Sequence, residues 1–248
     1  MAQLFSESAN TIAKVSLFLV ATGPFALFYV GSTISRSPAN TKAGVAINQP
    51  IPFSHMHHVY ELGIDCRYCH TSVEKGAVAG FPQSETCMSC HSVIWTNSPL
   101  LEPVRQSYAT GVPLEWNKVA KVPEFVYFDH SIHIARGINC NQCHGPIQQM
   151  HMTFKWQPFS MAWCLECHRE PEKFLAVEGA NRALSPREQV FDFYTQYQAG
   201  VDMANSQFRL MKGLKRQPTR EEIEEGRRLL DTLKIDKAAL MDCYKCHR

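Results

Sequence analysis

The sequence predicts a fold of loops and short α-helices packed around five covalently held cofactors, with one transmembrane helix at the N-terminus. Three observations predict it. All ten cysteines fall in five copies of Cys-x-x-Cys-His. The stretch Val15–Gly31 is apolar and carries no charge. A Phe-x-His-x-x-His pattern occurs twice, each time ahead of two of the five motifs.

The motifs are Cys66, Cys69 and His70; Cys87, Cys90 and His91; Cys140, Cys143 and His144; Cys164, Cys167 and His168; and Cys243, Cys246 and His247. This spacing reads as covalent attachment of a c-type haem. Two thioethers grip the porphyrin edge, and the adjacent His is the proximal iron ligand. A disulfide framework would leave the five His unexplained. So would zinc, whose four-cysteine sites ten thiolates cannot fill evenly. The fold class is therefore a multihaem cytochrome c.

Haem alters the usual core arithmetic, because each porphyrin is a large apolar disc that replaces protein core. Regular structure should be sparse. The 248 residues are expected to divide at 1–35 (anchor), 36–175 (a duplicated domain with four haems) and 176–248 (a helical region with the fifth). The formal charge of +2 misleads. Five haems bring about −10 from propionates and about +5 from ferric centres, leaving about −3 oxidised and about −8 reduced. Several Lys and Arg are expected to meet propionates. No separate basic cluster supports nucleic-acid binding.

Extending Val15–Gly31 to Ile12 and Ile34 gives about 20 residues, enough to span a bilayer, interrupted by Lys14, which can snorkel. The n-region is poor in positive charge and no A-x-A site follows, so an uncleaved signal-anchor is read rather than a cleaved leader. Pro24 would kink the helix, which membrane helices tolerate. Lys14 against Arg36 and Lys42 leaves the positive-inside rule undecided. Haem attachment occurs outside the bacterial cytoplasmic membrane. Residues from about 36 onward are thus expected on the periplasmic side.

The duplication assigns second ligands. Phe53, His55 and His58 followed by Gly63-Ile64-Asp65-Cys66 align with Phe128, His130 and His133 followed by Gly137-Ile138-Asn139-Cys140. The gap differs by one residue. Of six non-proximal His, this places His55, His58, His130 and His133 for distal ligation. His57 falls opposite Ile132 and is read as a bystander. Bis-His iron is closed, so it carries electrons and binds no substrate. One haem remains without a second ligand. The segment Gly145–Trp163 is expected to supply it, through Met161 or Met150 first and His151 next. His/Met ligation would raise that haem's potential. Small tetrahaem and trihaem cytochromes share Phe-x-His-x-x-His. By that resemblance His55 would serve the Cys66 haem and His130 the Cys140 haem, with His58 and His133 crossing to others.

Ser185-Pro186-Arg187-Glu188 opens a helix expected through Val190–Leu214, broken near Gly200. Thr219-Arg220-Glu221-Glu222 opens another to about Leu233, with Ile223, Leu229, Leu230 and Leu233 as an apolar stripe. That stripe is either a docking surface or a cover for the fifth haem. That haem should lie near the surface. Trp163 and Tyr244 are expected to pack on porphyrin.

No catalytic constellation is visible, and no motif ends in Lys instead of His. The chain reads as a membrane-anchored electron wire. The single span, the two repeats, the five motifs and the terminal Cys-His-Arg resemble the pentahaem cytochrome c subunit of alternative complex III, a quinol:electron-acceptor oxidoreductase. Val126-Tyr127-Phe128-Asp129-His130, Cys143-His144-Gly145 and Phe159-Ser160-Met161-Ala162-Trp163-Cys164 carry the likeness further. The resemblance implies a polytopic quinol-binding membrane subunit and an iron–sulfur, molybdopterin-like peripheral subunit as partners. It implies a monohaem cytochrome c or an oxidase as acceptor. This chain would not be the enzyme by itself. The competing expectation is a self-sufficient quinol dehydrogenase resembling anchored tetrahaem cytochromes, which needs a weakly ligated Cys66 haem. A haem-based sensor would need a signalling domain, which is not apparent.

Overall fold

The computed structural model describes residues 6–175, 183–198 and 218–247. Its contacts divide the chain into two units, 1–45 and 46–248. The first unit is dominated by helix α1, Glu7–Arg36. Thirty residues at 1.5 Å each make it about 45 Å long, more than a bilayer's hydrocarbon core. Phe18, Leu27 and Phe28 stand exposed along it. Ser16 and Thr22 donate their hydroxyls to carbonyls one turn back, which satisfies them without water. Pro24 lies inside the helix. Among the described residues this is the one helix long and apolar enough to cross a membrane.

The second unit contains no strand among its described residues, only an isolated bridge between Ala46 and Phe154. Its helices are short, and four of the five motifs lie in turns opened by a side-chain cap. Asp65 caps α2 (Cys66–Cys69), accepting from the Arg67 amide at 2.7 Å. The second motif sits in α3, Ser84–His91. After α4 (Glu102–Thr110) and α5 (His130–Ala135), Asn139 caps α6, Cys140–His144, in the same way as Asp65. Ser160 caps α7, Met161–Arg169. The acidic or amide residue before an attachment cysteine is thus the acceptor that starts its turn.

The two repeat copies differ by one residue, and the backbone shows where it goes. In the second copy His130–Ala135 is α-helical. In the first, Met56–Glu61 is a π-helical turn, in which the Leu62 amide reaches back to the His57 carbonyl. A π turn accommodates one more residue than an α turn. Both copies then close alike: Ile64 donates to the His58 carbonyl and Ile138 to the His133 carbonyl, each at 3.0 Å. Gly63 and Gly137, at φ 76° and 80°, make the same left-handed exit.

Helix α8, Pro186–Gln198, packs against both copies. Its Val190 and Phe191 join Val73 and Ile134 in a buried cluster. Ser185 and Glu188 exchange the hydrogen bonds of a capping box. The expected continuation to Leu214, with its break near Gly200, lies outside the described residues. Helix α9, Arg220–Thr232, has the second capping box, between Thr219 and Glu222. Its stripe turns inward: Leu230 is buried, and Ile223, Leu229 and Leu233 are half-buried. Gly226 lets this helix lie directly on the Glu172 backbone, where any side chain would collide. The stripe thus packs within the unit, against the segment that follows the fourth motif. Lys237 pairs with Glu172 at 3.0 Å to close the same corner.

Candidate haem sites

Four pairs of imidazoles face one another across a cavity. His55 lies opposite His70, with ring centres 6.4 Å apart and planes within 8°. His130 lies opposite His144 at 6.3 Å and 6°. His133 faces His168 at 6.2 Å and 27°, and His58 faces His91 at 6.2 Å and 61°. Two imidazoles on one iron need about 2 Å of metal–nitrogen bond on each side, plus roughly 1 Å from nitrogen to ring centre, or about 6 Å. The four spacings fit a single iron in each gap.

The ring nitrogens are arranged for the same purpose. Nδ1 of His70 lies 2.8 Å from the Gly80 carbonyl, that of His91 3.2 Å from Ile94, that of His168 3.3 Å from Leu240 and that of His247 3.1 Å from Phe125. On the distal side His58, His133 and His130 direct Nδ1 to the carbonyls of Ser54, Asp129 and Ala77, and His55 directs it to the Thr153 hydroxyl. A hydrogen bond at Nδ1 fixes the tautomer and leaves Nε2 for metal. Burial, with neighbouring His second, pushes His55 down to about 3 and His144 down to about 4. Both therefore stay neutral, the ligating form. His57 differs. It pairs with the Glu61 carboxylate at 2.6 Å, is half exposed and lies against Trp95.

Phenylalanine geometry repeats with the histidines. Phe53 stacks on His58 at 4.4 Å and meets His55 edge-on at 5.0 Å. Phe128 does the same to His133 at 4.6 Å and His130 at 4.8 Å. One aromatic therefore orients two distal rings in each copy.

The fifth proximal ring, His247, lies against Phe125 at 5.9 Å. Of the three residues expected to complete the remaining iron, two stand beside the first repeat. The Met150 carbonyl accepts from the Met56 amide, and His151 lies 3.4 Å from the Ser54 hydroxyl. Met150 is also buried, at 4% exposure. Met161 is 67% exposed and sits one turn before Cys164. Trp163 is edge-on to Phe159 at 5.2 Å, and Tyr244 is exposed.

No disulfide joins any of the ten cysteines. No three His, Cys, Asp or Glu side chains converge among the described residues, as a zinc cage would require. Instead the motifs line one cavity of about 2260 Å³. A small-ligand site holds roughly 300–1,000 Å³, so this space suits several large groups. Two buried donors on its wall lack protein partners: the Trp116 indole N–H and the Gln148 amide NH2. Buried donors are rarely left unpaired. A haem edge carrying propionates would satisfy them. Sequence reasoning missed both residues, since nothing in their local pattern sets them apart. Ring spacing, free nitrogens, cavity and orphaned donors all fit haem.

Residues 126–190 match the family model for cytochrome c7 and related cytochrome c. Residues 126–190 form a multihaem cytochrome c domain. The match covers the second repeat copy and its two motifs. The chain is also similar to the menaquinone reductase multiheme cytochrome c subunit of Nitratidesulfovibrio vulgaris, at 37% identity over 97 residues, or 39% of this chain. It covers 45% of that relative's length. Covalently bound c-type haem follows from the cytochrome c domain.

Proposed function

We propose that this chain is a membrane-anchored pentahaem cytochrome that relays electrons between a quinone-handling membrane complex and a periplasmic redox protein. In the specific form we favour, the complex is of the alternative complex III kind. A polytopic subunit oxidises quinol beside an iron–sulfur, molybdopterin-like subunit, and a monohaem cytochrome c or an oxidase accepts the electrons. The observation that carries the reading is the set of four facing imidazole pairs. Iron held on both sides by His has no open position, so it serves electron transfer and not substrate chemistry.

A c-type haem supplies reversible one-electron redox chemistry when bound. The chain's own residues do the rest. Nine His hold or face the iron positions, Phe53 and Phe128 fix ring planes, and α8 locks the two copies together. Quinol oxidation releases two electrons and two protons. In this proposal it happens on the partner, and each electron then passes singly through this chain to a one-electron acceptor. Helix α1 would anchor the chain, with the haem domain on the periplasmic side.

The name of the relative favours a second reading, in which electrons run the other way, from a periplasmic donor toward menaquinone. The self-sufficient quinol dehydrogenase is disfavoured, because His55 stands opposite His70 and leaves no weakly ligated site nearest the anchor in sequence. One experiment separates the three. The chain is purified in mild detergent through a tag, its companions are identified, and both quinol oxidation and quinone reduction are assayed. Quinol oxidation that needs a polytopic subunit and an iron–sulfur subunit is the expected result. Quinone reduction by the assembly would support the reversed flow. Quinol oxidation by the isolated chain would overturn the relay.

A further inference from the structure

We infer that the five attachment sites stand in one unbranched file whose order is not that of the sequence: second, first, third, fourth, fifth. The inference rests on the reading of all five motifs as haem sites. Each step of the file is carried by a physical link between neighbouring motifs.

The second and first motifs are joined by a hydrogen bond of 2.7 Å between the Tyr68 and Ser89 hydroxyls, each residue inside its own motif. Trp116 spans the same junction. One of its ring neighbours is Phe53, which stacks on the distal His58, and the other is Phe81, next to the Gly80 carbonyl that holds His70.

The first and third motifs meet at the centre. Cys66 and Cys140 pack on the same side chains of α8, within its Val190, Phe191, Phe193 and Tyr194 clusters. The groups that hold the distal ligands are exchanged across this joint. His130 of the second copy is held by Ala77, which follows the first motif. His55 of the first copy is held by Thr153, which follows the third. Such reciprocity is what an approximate two-fold axis between the copies produces. It places the two halves with their first-motif ends inward and their other motifs outward.

The third and fourth motifs are bridged by Phe159, 6.0 Å from the His144 ring and 5.2 Å from Trp163, the residue before Cys164. The fourth and fifth are tied by the Leu240 carbonyl, which lies 3.3 Å from Nδ1 of His168 only three residues ahead of Cys243.

The consequence is functional. The ends of the file are the sites of Cys87–His91 and Cys243–His247, and these two are where electrons enter and leave. Each end presents exposed rings or apolar side chains to a partner: Val93 at one, Phe125 and Tyr244 at the other. The central first and third sites exchange electrons only within the chain. Each transfer along the file oxidises one site and reduces the next by one electron, and moves no proton.

The test is cryo-electron microscopy of the full-length holoprotein in its native assembly, paired with intact mass to count haems. The expected map shows the irons of the second and fifth sites farthest apart, each with a single near neighbour, and the first and third adjacent. A file in sequence order, a branched cluster or contact between the second and third sites would overturn the inference while leaving the five-haem reading intact. A mass with fewer than five haems would overturn both.

Discussion

Gly145 is a position where a single methyl group should do heavy damage, and the size of the effect can be worked out. It follows the proximal His144 and has φ 70° and ψ −162°. That region is essentially reserved for glycine, and a side chain held there costs about 1–3 kcal/mol. A Cβ at this position would also sit 2.9 Å from Cβ of Trp156, and closer still to the ring carbons Cγ and Cδ2. Overpacking of that kind costs about 1–3 kcal/mol more. Gly145→Ala should therefore destabilise by about 2–6 kcal/mol, a large share of the roughly 5–15 kcal/mol that holds a domain together. Gly111→Ala is the control. Gly111 has φ 71° with nothing within 4 Å of the added carbon, so it should lose only about 1–2 kcal/mol. Guanidinium unfolding of the holoproteins, followed by far-UV circular dichroism, compares their midpoints. Equal shifts for the two variants would refute the packing of Trp156 against the turn after His144.

Other outcomes follow from the same geometry. His58→Ala and His133→Ala should each convert one low-spin haem to a high-spin or water-ligated form with no change in haem count, while His57→Ala should leave the spectrum unaltered. Ferric EPR should distinguish the nearly parallel His55/His70 and His130/His144 pairs from the 61° His58/His91 pair, whose crossed planes give a more axial signal. One signal type for all sites would contradict those ring angles. Tyr194→Phe removes a buried hydroxyl that lies 2.9 and 2.8 Å from the side-chain oxygens of Asn139 and Asn141. It should cost about 1–3 kcal/mol, read as a shift in unfolding midpoint. Thr219→Ala, which removes the α9 cap, should cost about 0.5–2 kcal/mol and leave haem spectra unchanged.

What could be read from the sequence was whatever is encoded locally. Cys-x-x-Cys-His is a chemical requirement written in five consecutive residues, and the Phe-x-His-x-x-His repeat encodes one helix turn. Ser185, Thr219 and their partner Glu residues announce helix starts for the same reason. The opposition of His58 to His91, 33 positions along, depends on how a π turn aims a ring across a cavity. No spacing rule contains that. Trp116 and Gln148 are further from view, because an indole or amide without a partner is a property of the folded wall and not of its neighbours in sequence. The apolar stripe of α9 was legible as a stripe. Its target was not, because the Glu172 backbone that meets Gly226 lies more than 50 residues earlier.

The π turn at Met56–Glu61 also bears on how the two halves could diverge. One extra residue in an α-helix would rotate everything before it by about 100° and swing the ligand away from its iron. Widening the turn absorbs the residue instead, so both His rings and the glycine exit keep their places. A length change at this point is thereby nearly silent. The duplicated halves were free to drift in size as well as in composition, and the widened turn marks where one of them did.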